Sequence, residues 1–169
     1  MLSRATAQDG VSPPCILAVC RNYVRTDGHC IVSYQNQIVI TTKGHGEMHD
    51  LTEQVGRIVN SSGIQTGLAN IFNVGSTAAV GTIEFEPGLE QDLPGILDKL
   101  IPPSRQYGHE QAWHDGNGHS HLQATLLGPS LTVPIAGGKL VLGTWQQIFH
   151  LECDVRGRQR TVLVTVVGS

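Results

Sequence analysis

The segment Thr161–Val167 constrains the fold more than any other part of the sequence. Its seven residues are all threonine, valine or leucine, and such a continuous run favours a β-strand. Glycine and proline turn signals separate several further runs with strand character, which lie at 64–74, 78–85, 121–127, 131–135, 139–143 and 146–154. Residues 31–42 predict a β-hairpin with its turn near 35–37. The chain is therefore expected to be built around a β-sheet.

Two segments carry helical rather than strand periodicity. Asp50 is a suitable N-cap, Glu53 completes a capping box, and apolar residues then repeat at helical spacing as far as Gly63. A second helix is predicted between residues 89 and 101, where Pro94 weakens the first half. Strands combined with two main helices predict the α+β class, with a mixed or mostly antiparallel sheet.

The two ends of the chain differ in character. Residues 30–169 are expected to form a single compact domain, since 169 residues in total suit one domain. Residues 1–29 are expected to be a poorly ordered extension with at most one short strand, near residues 16–19.

Composition narrows the function classes. A net charge of −3 argues against a general nucleic-acid binder, and no apolar run is long enough for a membrane span. The four cysteines form no CxxC pair, which favours reduced thiols over a zinc ribbon or a dense disulfide framework. The sequence predicts a cytoplasmic protein with no nucleic-acid and no membrane partner.

Histidine is the compositional outlier. Of eight histidines, half fall within 13 residues, and these are His109, His114, His119 and His121. If a strand begins at His121, then His119 and His121 project to one face about 6.6 Å apart, close enough to share a metal ion. His109 could supply a third ligand from the preceding loop. The alternative is a set of surface or hydrogen-bonded histidines, and His114 is assigned to the loop.

Other polar positions leave alternatives open. The Asp115–Gly118 turn could form an anion-binding nest or a plain tight turn. Glu84, in an otherwise apolar strand, Glu86 and Glu110 could act as a general base, a partner to a metal ligand or a structural salt bridge. Trp145 suits a pocket wall, a subunit contact or the core. Three arginines form either a solvated tip or a phosphate site, and these are Arg156, Arg158 and Arg160.

Residues 120–134 (SHLQATLLGPSLTVP) and 137–146 (GGKLVLGTWQ) resemble the YjbQ-like family, and the resemblance extends from about residue 31 to the end. It implies an α+β fold, a homotrimer and a histidine site thought to bind a metal near a subunit boundary. The family histidines match His109 in Tyr107-Gly108-His109 and His121 in Ser120-His121. Gly75 stands where many members carry a third histidine, which makes His119 the natural substitute.

The family's members are often described as secondary thiamine-phosphate synthases, so the resemblance implies a weak transferase activity of that kind. On this hypothesis a divalent metal, zinc or, for diphosphate chemistry, magnesium, is held by three ligands: His109, His119 and His121. The catalytic residues would be Glu84, Asp115 and Gln146. A small-molecule substrate would contact Asn117, Gln123, Ser130, Thr144 and Trp145. The alternatives are metal-assisted phosphohydrolysis and a non-catalytic, trimeric metal- or ligand-binding protein.

Overall fold

The computed structural model describes residues 22–26 and 29–169, with side chains from residue 31 onward. It contains nine strands and four helices within those residues. The strands are β1 Asn22–Thr26, β2 His29–Thr41, β3 Met48–Asp50, β4 Thr66–Val74, β5 Ala78–Ile83, β6 Ser130–Ala136, β7 Lys139–Leu140, β8 Gln147–Glu152 and β9 Gln159–Gly168. The helices are α1 Thr52–Ser62, α2 Pro87–Leu100, α3 Glu110–Trp113 and α4 Gly118–Leu127.

The main sheet has six strands in the order β1-β2-β9-β4-β6-β7, and every neighbouring pair is antiparallel. Strand β9, the strongest strand signal in the sequence, lies between β2 and β4. Its alternate residues Val162, Val164 and Val166 are fully buried, because they face helix α1 and the principal core. The α+β class and the mostly antiparallel sheet are thus confirmed.

A second sheet of three strands, β3-β8-β5, is also antiparallel. Its apolar cluster brings together Met48, Phe149 and Leu151 from the sheet with Leu97 of α2 and Ala124 of α4. Cys153, a buried free thiol, belongs to the same cluster. This arrangement presses α4 against β5 and thereby fixes the position of the histidines on α4.

The prediction of a β-hairpin at residues 31–42 is wrong. Strand β2 runs without a turn through residues 35–37, because it pairs continuously with β9 from Val32 to Thr41. The prediction of a capping box that begins at Asp50 is also wrong, since Asp50 ends β3 and the N-cap of α1 is Leu51. The Asp50 carboxylate instead accepts hydrogen bonds from the backbone and hydroxyl of Thr52.

The predicted strand at residues 121–127 is also wrong, because this segment belongs to helix α4. Only one of its residues, Thr125, is β-branched, whereas alanine, leucine and glutamine favour helices. Burial follows a helical pattern, with His119, Ser120, Gln123 and Ala124 all buried. The argument that His119 and His121 project to one face assumed a strand, and in a helix the two side chains point to different sides.

Other boundaries shift less. Helix α1 ends at Gly63 in the left-handed region (φ 74°), as expected, and α2 continues through Pro94. Strand β1 forms within the segment expected to be an extension, while the strand near residues 16–19 falls outside the described residues. In the part of the chain described, no helix is long and apolar enough to cross a membrane.

Candidate functional site

The rings of His109 and His121 lie together beside the first turn of α4. Their ring centroids are 4.7 Å apart, and the Trp113 ring stacks on His109 at 6.4 Å. Gly118 makes this contact possible, because a Cβ there would lie 2.8 Å from the Cβ of Tyr107 and 3.2 Å from that of His109. The absent side chain lets the segment before α3 pack directly against the first turn of α4.

Asp115 is the carboxylate nearest to this pair. Its Oδ1 lies 3.4 Å from Nε2 of His109, but the two atoms are not aligned for a hydrogen bond. The loop that carries Asp115 is tied down by Glu110, which is buried and accepts hydrogen bonds from Arg105 and the backbone N–H of Gly116. Glu110 therefore plays the structural role among its three alternatives.

A cavity of about 120 Å³ opens beside His121. It is lined by Gly75, Ser76, Ala78, His121, Ala124, Thr125 and Pro129. None of the described residues that line it is acidic, and most are apolar or small. His121 thus has His109 on one side and this small cavity on the other.

His119 does not join this pair. Residues two apart on a helix are rotated by about 200°, so His119 turns to the other side of α4. Its ring is fully buried and meets His45 edge to face, with centroids 5.3 Å apart. Neither ring nitrogen of His119 has a hydrogen-bond partner among the described residues. Burial lowers the pKa of His119, and the neighbouring His45 lowers it further.

His45 occupies a loop position that the sequence did not single out. Its Nδ1 lies 3.1 Å from the carbonyl oxygen of Cys153 and its Nε2 lies 2.8 Å from Oδ1 of Asp98. Both partners are acceptors, so the imidazole ring of His45 is held between the Cys153 carbonyl and the Asp98 carboxylate. Gln123 donates to Asp98 and to the carbonyl of Ile101, which places it in this structural network rather than in the cavity.

The remaining predicted substrate contacts are dispersed. Asn117 is buried at the start of α4, where its backbone carbonyl accepts from the N–H groups of Ser120 and His121. Ser130 is exposed at the start of β6 and accepts a hydrogen bond from Asn70. His114 is exposed and ends α3 in the left-handed region (φ 55°), as its assignment to the loop implied.

Glu84 and Gln146 lie at the other end of β5 from the cavity. Glu84 is exposed and follows the last residue of β5 instead of lying within an apolar strand. Six residues of extended chain separate it from Ala78 at the cavity, about 20 Å. Gln146 donates to Thr82 near the same end, and the neighbouring Thr144 and Trp145 are exposed. Within one chain, these residues are not brought to His121.

Glu86 has a local structural role. Its carboxylate accepts hydrogen bonds from the backbone N–H groups of Gly88 and Leu89, and so caps α2.

Near the cavity lies a buried ion pair that the sequence pattern does not predict. Arg160 donates from Nε and Nη2 to both carboxylate oxygens of Glu152, and both residues are buried. Thr42 and Thr77 add hydrogen bonds to the carboxylate and to the guanidinium. The sequence contained a usable signal, because Glu152 falls inside a strand where an unpaired carboxylate would be costly.

Two further buried groups adjoin this pair. Burial acts to raise the pKa of Asp154, but hydrogen bonds from Arg158, the backbone of Arg156 and Thr77 outweigh it and hold the pKa below its usual value. Burial lowers the pKa of His150 to about 4, so this residue is neutral near pH 7. Asn73 donates its amide to the carbonyls of Gly75 and Ala78, so its Oδ1 accepts from Nε2 of His150.

The metal hypothesis can be tested against these positions. Two imidazoles and a carboxylate are donors that suit zinc, and the buried, unpartnered Nε2 of His109 is available. Across residues 22–26 and 29–169, no three His, Cys, Asp or Glu side chains are already arranged to hold a metal ion. The residue types therefore suit zinc. A third ligand would require the Asp115 carboxylate to turn toward the two histidines.

Comparisons with known proteins agree with this fold. A family model described as "UPF0047 protein YjbQ-like" matches residues 36–169. A UPF0047 protein of Methanothermobacter thermautotrophicus is 39% identical over 136 residues, which cover 80% of this chain and 93% of that one. A UPF0047 protein of Archaeoglobus fulgidus is 40% identical over 128 residues, covering 76% of this chain and 97% of that one.

Solved structures give the same result. A YbjQ-like protein of unknown function from Sulfolobus solfataricus superposes with a TM-score of 0.77 at 38% identity, covering 82% of this chain and 99% of that one. A hypothetical protein from Aeropyrum pernix gives a TM-score of 0.73 at 32% identity, covering 80% and 98%. The chain therefore belongs to the YjbQ-like UPF0047 family.

Proposed function

We propose that this protein is a cytoplasmic, metal-dependent enzyme that acts on a small phosphorylated metabolite. The contact between His109 and His121, whose ring centroids are 4.7 Å apart beside a small cavity, is the observation that carries the proposal. Formation of thiamine phosphate from a pyrimidine diphosphate and a thiazole phosphate is the candidate reaction, by the resemblance described above. This would make the enzyme a transferase.

His109 and His121 would hold the metal, with Asp115 rather than His119 as the third ligand, because His119 faces the other side of α4. Histidine nitrogens favour zinc, whereas diphosphate chemistry more often uses magnesium on oxygen ligands. When bound, such a cation would stabilise the negative charge that develops on a phosphate leaving group. The half-exposed Asp115 is the donor best able to change its orientation, because its loop is anchored through Glu110 instead.

The chain's own residues prepare this site in two ways. Trp113 stacks on His109 and limits the rotation of its ring. The Arg105–Glu110 ion pair and the hydrogen bond from Gly116 to Glu110 brace the 105–116 loop internally, which limits where Asp115 can reach. His109, held in this way, would lose little conformational freedom when an ion binds, whereas Asp115 would still have to turn toward the pair.

The test is a metal analysis of protein purified without chelators, combined with turnover assays. We expect close to one divalent transition metal per chain, and we expect His121→Ala and His109→Ala each to remove it. His114→Asn is the matched control, because asparagine tolerates the left-handed backbone and His114 lies outside the site. Full metal retention in both alanine variants would refute the assignment.

Metal-assisted phosphohydrolysis is the second candidate. It is favoured by the distance of Glu84 and Gln146 from His121, because it needs only an activated water at the metal rather than a second organic substrate. Phosphate release from a panel of phosphorylated metabolites distinguishes it from the synthase reaction. Metal binding without turnover on any substrate would favour the non-catalytic alternative.

We also propose that the protein forms a homotrimer. Among the described residues, the face of the main sheet opposite α1 carries exposed apolar side chains, which are Val39, Leu68, Phe72, Val74 and Val167. Leu68 pairs directly with Val167 across β4 and β9, so these residues form one continuous surface. Contiguous exposed apolar patches mark interaction surfaces, and the family resemblance implies an assembly of three copies, so a second and a third copy of this chain are the proposed occupants.

A further inference from the structure

We infer that a second divalent metal ion, of the zinc class, binds between strands β3 and β8 and is held by Glu47, His49 and His150. This site shares no residue with the His109–His121 pair, and it goes beyond the function proposed above. Histidine nitrogens and carboxylate oxygens are the donors that zinc takes in sites with three protein ligands and one open position.

The strand register brings the three side chains together. His49 of β3 lies directly opposite His150 of β8 in the antiparallel ladder. Glu47 precedes His49 by two residues, so its side chain projects to the same face of the strand pair. The backbone N–H of Glu152 donates to the carbonyl of Glu47, which continues the pairing past the end of β3. A carboxylate and two imidazoles therefore gather on one face of the β3–β8 pair.

Glu47 and His49 already have the separation of two ligands on one metal ion. Oε1 of Glu47 lies 3.3 Å from Nε2 of His49, but the two atoms are not aligned for a hydrogen bond, and Nε2 is buried without a partner among the described residues. Two donors bound at about 2.0–2.1 Å to a tetrahedral zinc ion lie about 3.3 Å apart. The other carboxylate oxygen accepts the backbone N–H of Lys43, which orients the group.

His150 supplies the third donor. Its ring is fully buried, and its Nε2 donates to Oδ1 of Asn73. A proton on Nε2 leaves a lone pair on Nδ1, which has no partner in the described part of the chain. Metal-bound histidines usually donate their second ring nitrogen to an oxygen acceptor in this way. Burial lowers the pKa of His150 to about 4, so the lone pair is free of a proton near pH 7.

A small movement completes the site. The ring centroids of His49 and His150 are 6.3 Å apart, whereas two imidazoles on one tetrahedral zinc ion have centroids about 5 Å apart. The rings must approach by about 1 Å, which is why these donors are not among groups of three already arranged around an ion. The site should therefore bind more weakly than the His109–His121 pair and fill only when metal is added.

Access and charge also suit a cation. The side chains of Glu47 and His49 keep 23% and 28% of their surface exposed, so an ion can reach them from solvent although His150 is buried. The nearby cation Arg160 is already balanced by its ion pair with Glu152. Glu47 thus contributes an uncompensated negative charge, and a water molecule entering from its side can occupy the fourth coordination position.

The experiment titrates Co²⁺, a spectroscopic substitute for zinc, into chelator-treated protein in which His109 and His121 are both replaced by alanine. The first metal site cannot form in this protein. Visible absorption of protein-bound Co²⁺ and equilibrium dialysis measure binding. We expect one equivalent of Co²⁺ per chain, which added Zn²⁺ displaces.

Two substitutions in the same background remove one ligand each and keep its shape. Glu47→Gln and His49→Phe should each weaken Co²⁺ binding by at least about a hundredfold, because loss of a group that only orients a ligand already costs about 10–100-fold. Glu53→Gln on α1 and His114→Asn are the matched controls, since they remove a carboxylate and a histidine outside the site. Both controls should bind Co²⁺ as the parent protein does.

Affinities of Glu47→Gln and His49→Phe within about tenfold of the controls would overturn the proposal, as would no bound Co²⁺ in the double-alanine protein. Wild-type protein gives a second test that does not depend on that protein folding, because His49→Phe should lower its Co²⁺ capacity by one equivalent. If His121→Ala lowers the wild-type capacity and His49→Phe does not, the β3–β8 site alone is refuted. The reverse result would refute the His109–His121 assignment alone.

Discussion

His119 and His121 are two residues apart in the sequence, yet helix α4 turns their rings to opposite sides. The buried His119 packs edge to face on the half-buried His45, whereas His121 meets His109 near the surface. Of these two histidines, only His121 lines the small cavity. The pair therefore divides into one residue of the candidate site and one residue of the interior.

His119→Leu should leave metal content unchanged. The substitution should also stabilise the fold by about 1 kcal/mol, because leucine has a similar volume and no buried nitrogen without a partner. Metal analysis and urea unfolding check the two statements, with His121→Leu as the matched variant that should lose the metal. Loss of metal in His119→Leu would restore His119 as a ligand.

Glu152→Gln should destabilise the protein by about 3 kcal/mol, since it removes the carboxylate bound to buried Arg160 and leaves only Asp154, whose Oδ2 lies 3.9 Å from Nη2. The control is Glu53→Gln on α1, which removes an exposed ion pair with Arg57 and should change stability by less than about 0.5 kcal/mol. Urea unfolding of both variants at pH 7 gives the comparison. Similar stability losses in the two variants would show that the buried pair contributes no more than the exposed one.

His150 should make stability depend on pH. Its pKa falls from 6.5 to about 4 on folding, so the unfolded chain binds more protons between these values and stability decreases as pH falls through that window. The loss approaches about 3 kcal/mol near pH 4. Above pH 6.5 the contribution is fully present.

His150→Gln retains a donor for Asn73 but cannot titrate. Urea unfolding at several pH values should therefore give a shallower pH profile for this variant than for wild-type protein. The nearby charged groups Glu152, His49, Arg160 and Glu47 are present in both proteins, so the difference isolates His150. Identical profiles would contradict the assignment.

Phe72→Glu should dissociate the proposed trimer. Phe72 lies in the centre of the open sheet face and is 40% exposed in the single chain, so a carboxylate there would be buried between subunits. Light scattering should report three times the 18.2 kDa chain mass for wild-type protein and for the conservative variant Phe72→Leu. A wild-type mass of one chain would refute the trimer.

The parts of the fold that follow from local pattern were predictable. Strand β9 and the end of α1 at Gly63 were predicted because β-branched runs and a helix-ending glycine act locally. The hairpin in β2 and the strand at residues 121–127 were mispredicted. In β2, continuous pairing with the distant strand β9 outweighed the local turn signal. At residues 121–127 the local composition itself favours the observed helix, so the strand prediction overlooked that signal.

In the candidate site, too, some features follow from the sequence alone and others only from the tertiary structure. The sequence by itself determined which histidines are available and that Gly75 and Gly118 carry no side chain. Tertiary structure decided that His121 meets His109, that His119 faces His45 and that Arg160 reaches Gly75. The physical reason is that a helix rotates successive side chains by about 100° and a strand by about 180°, so which face a residue occupies depends on the element that packing selects.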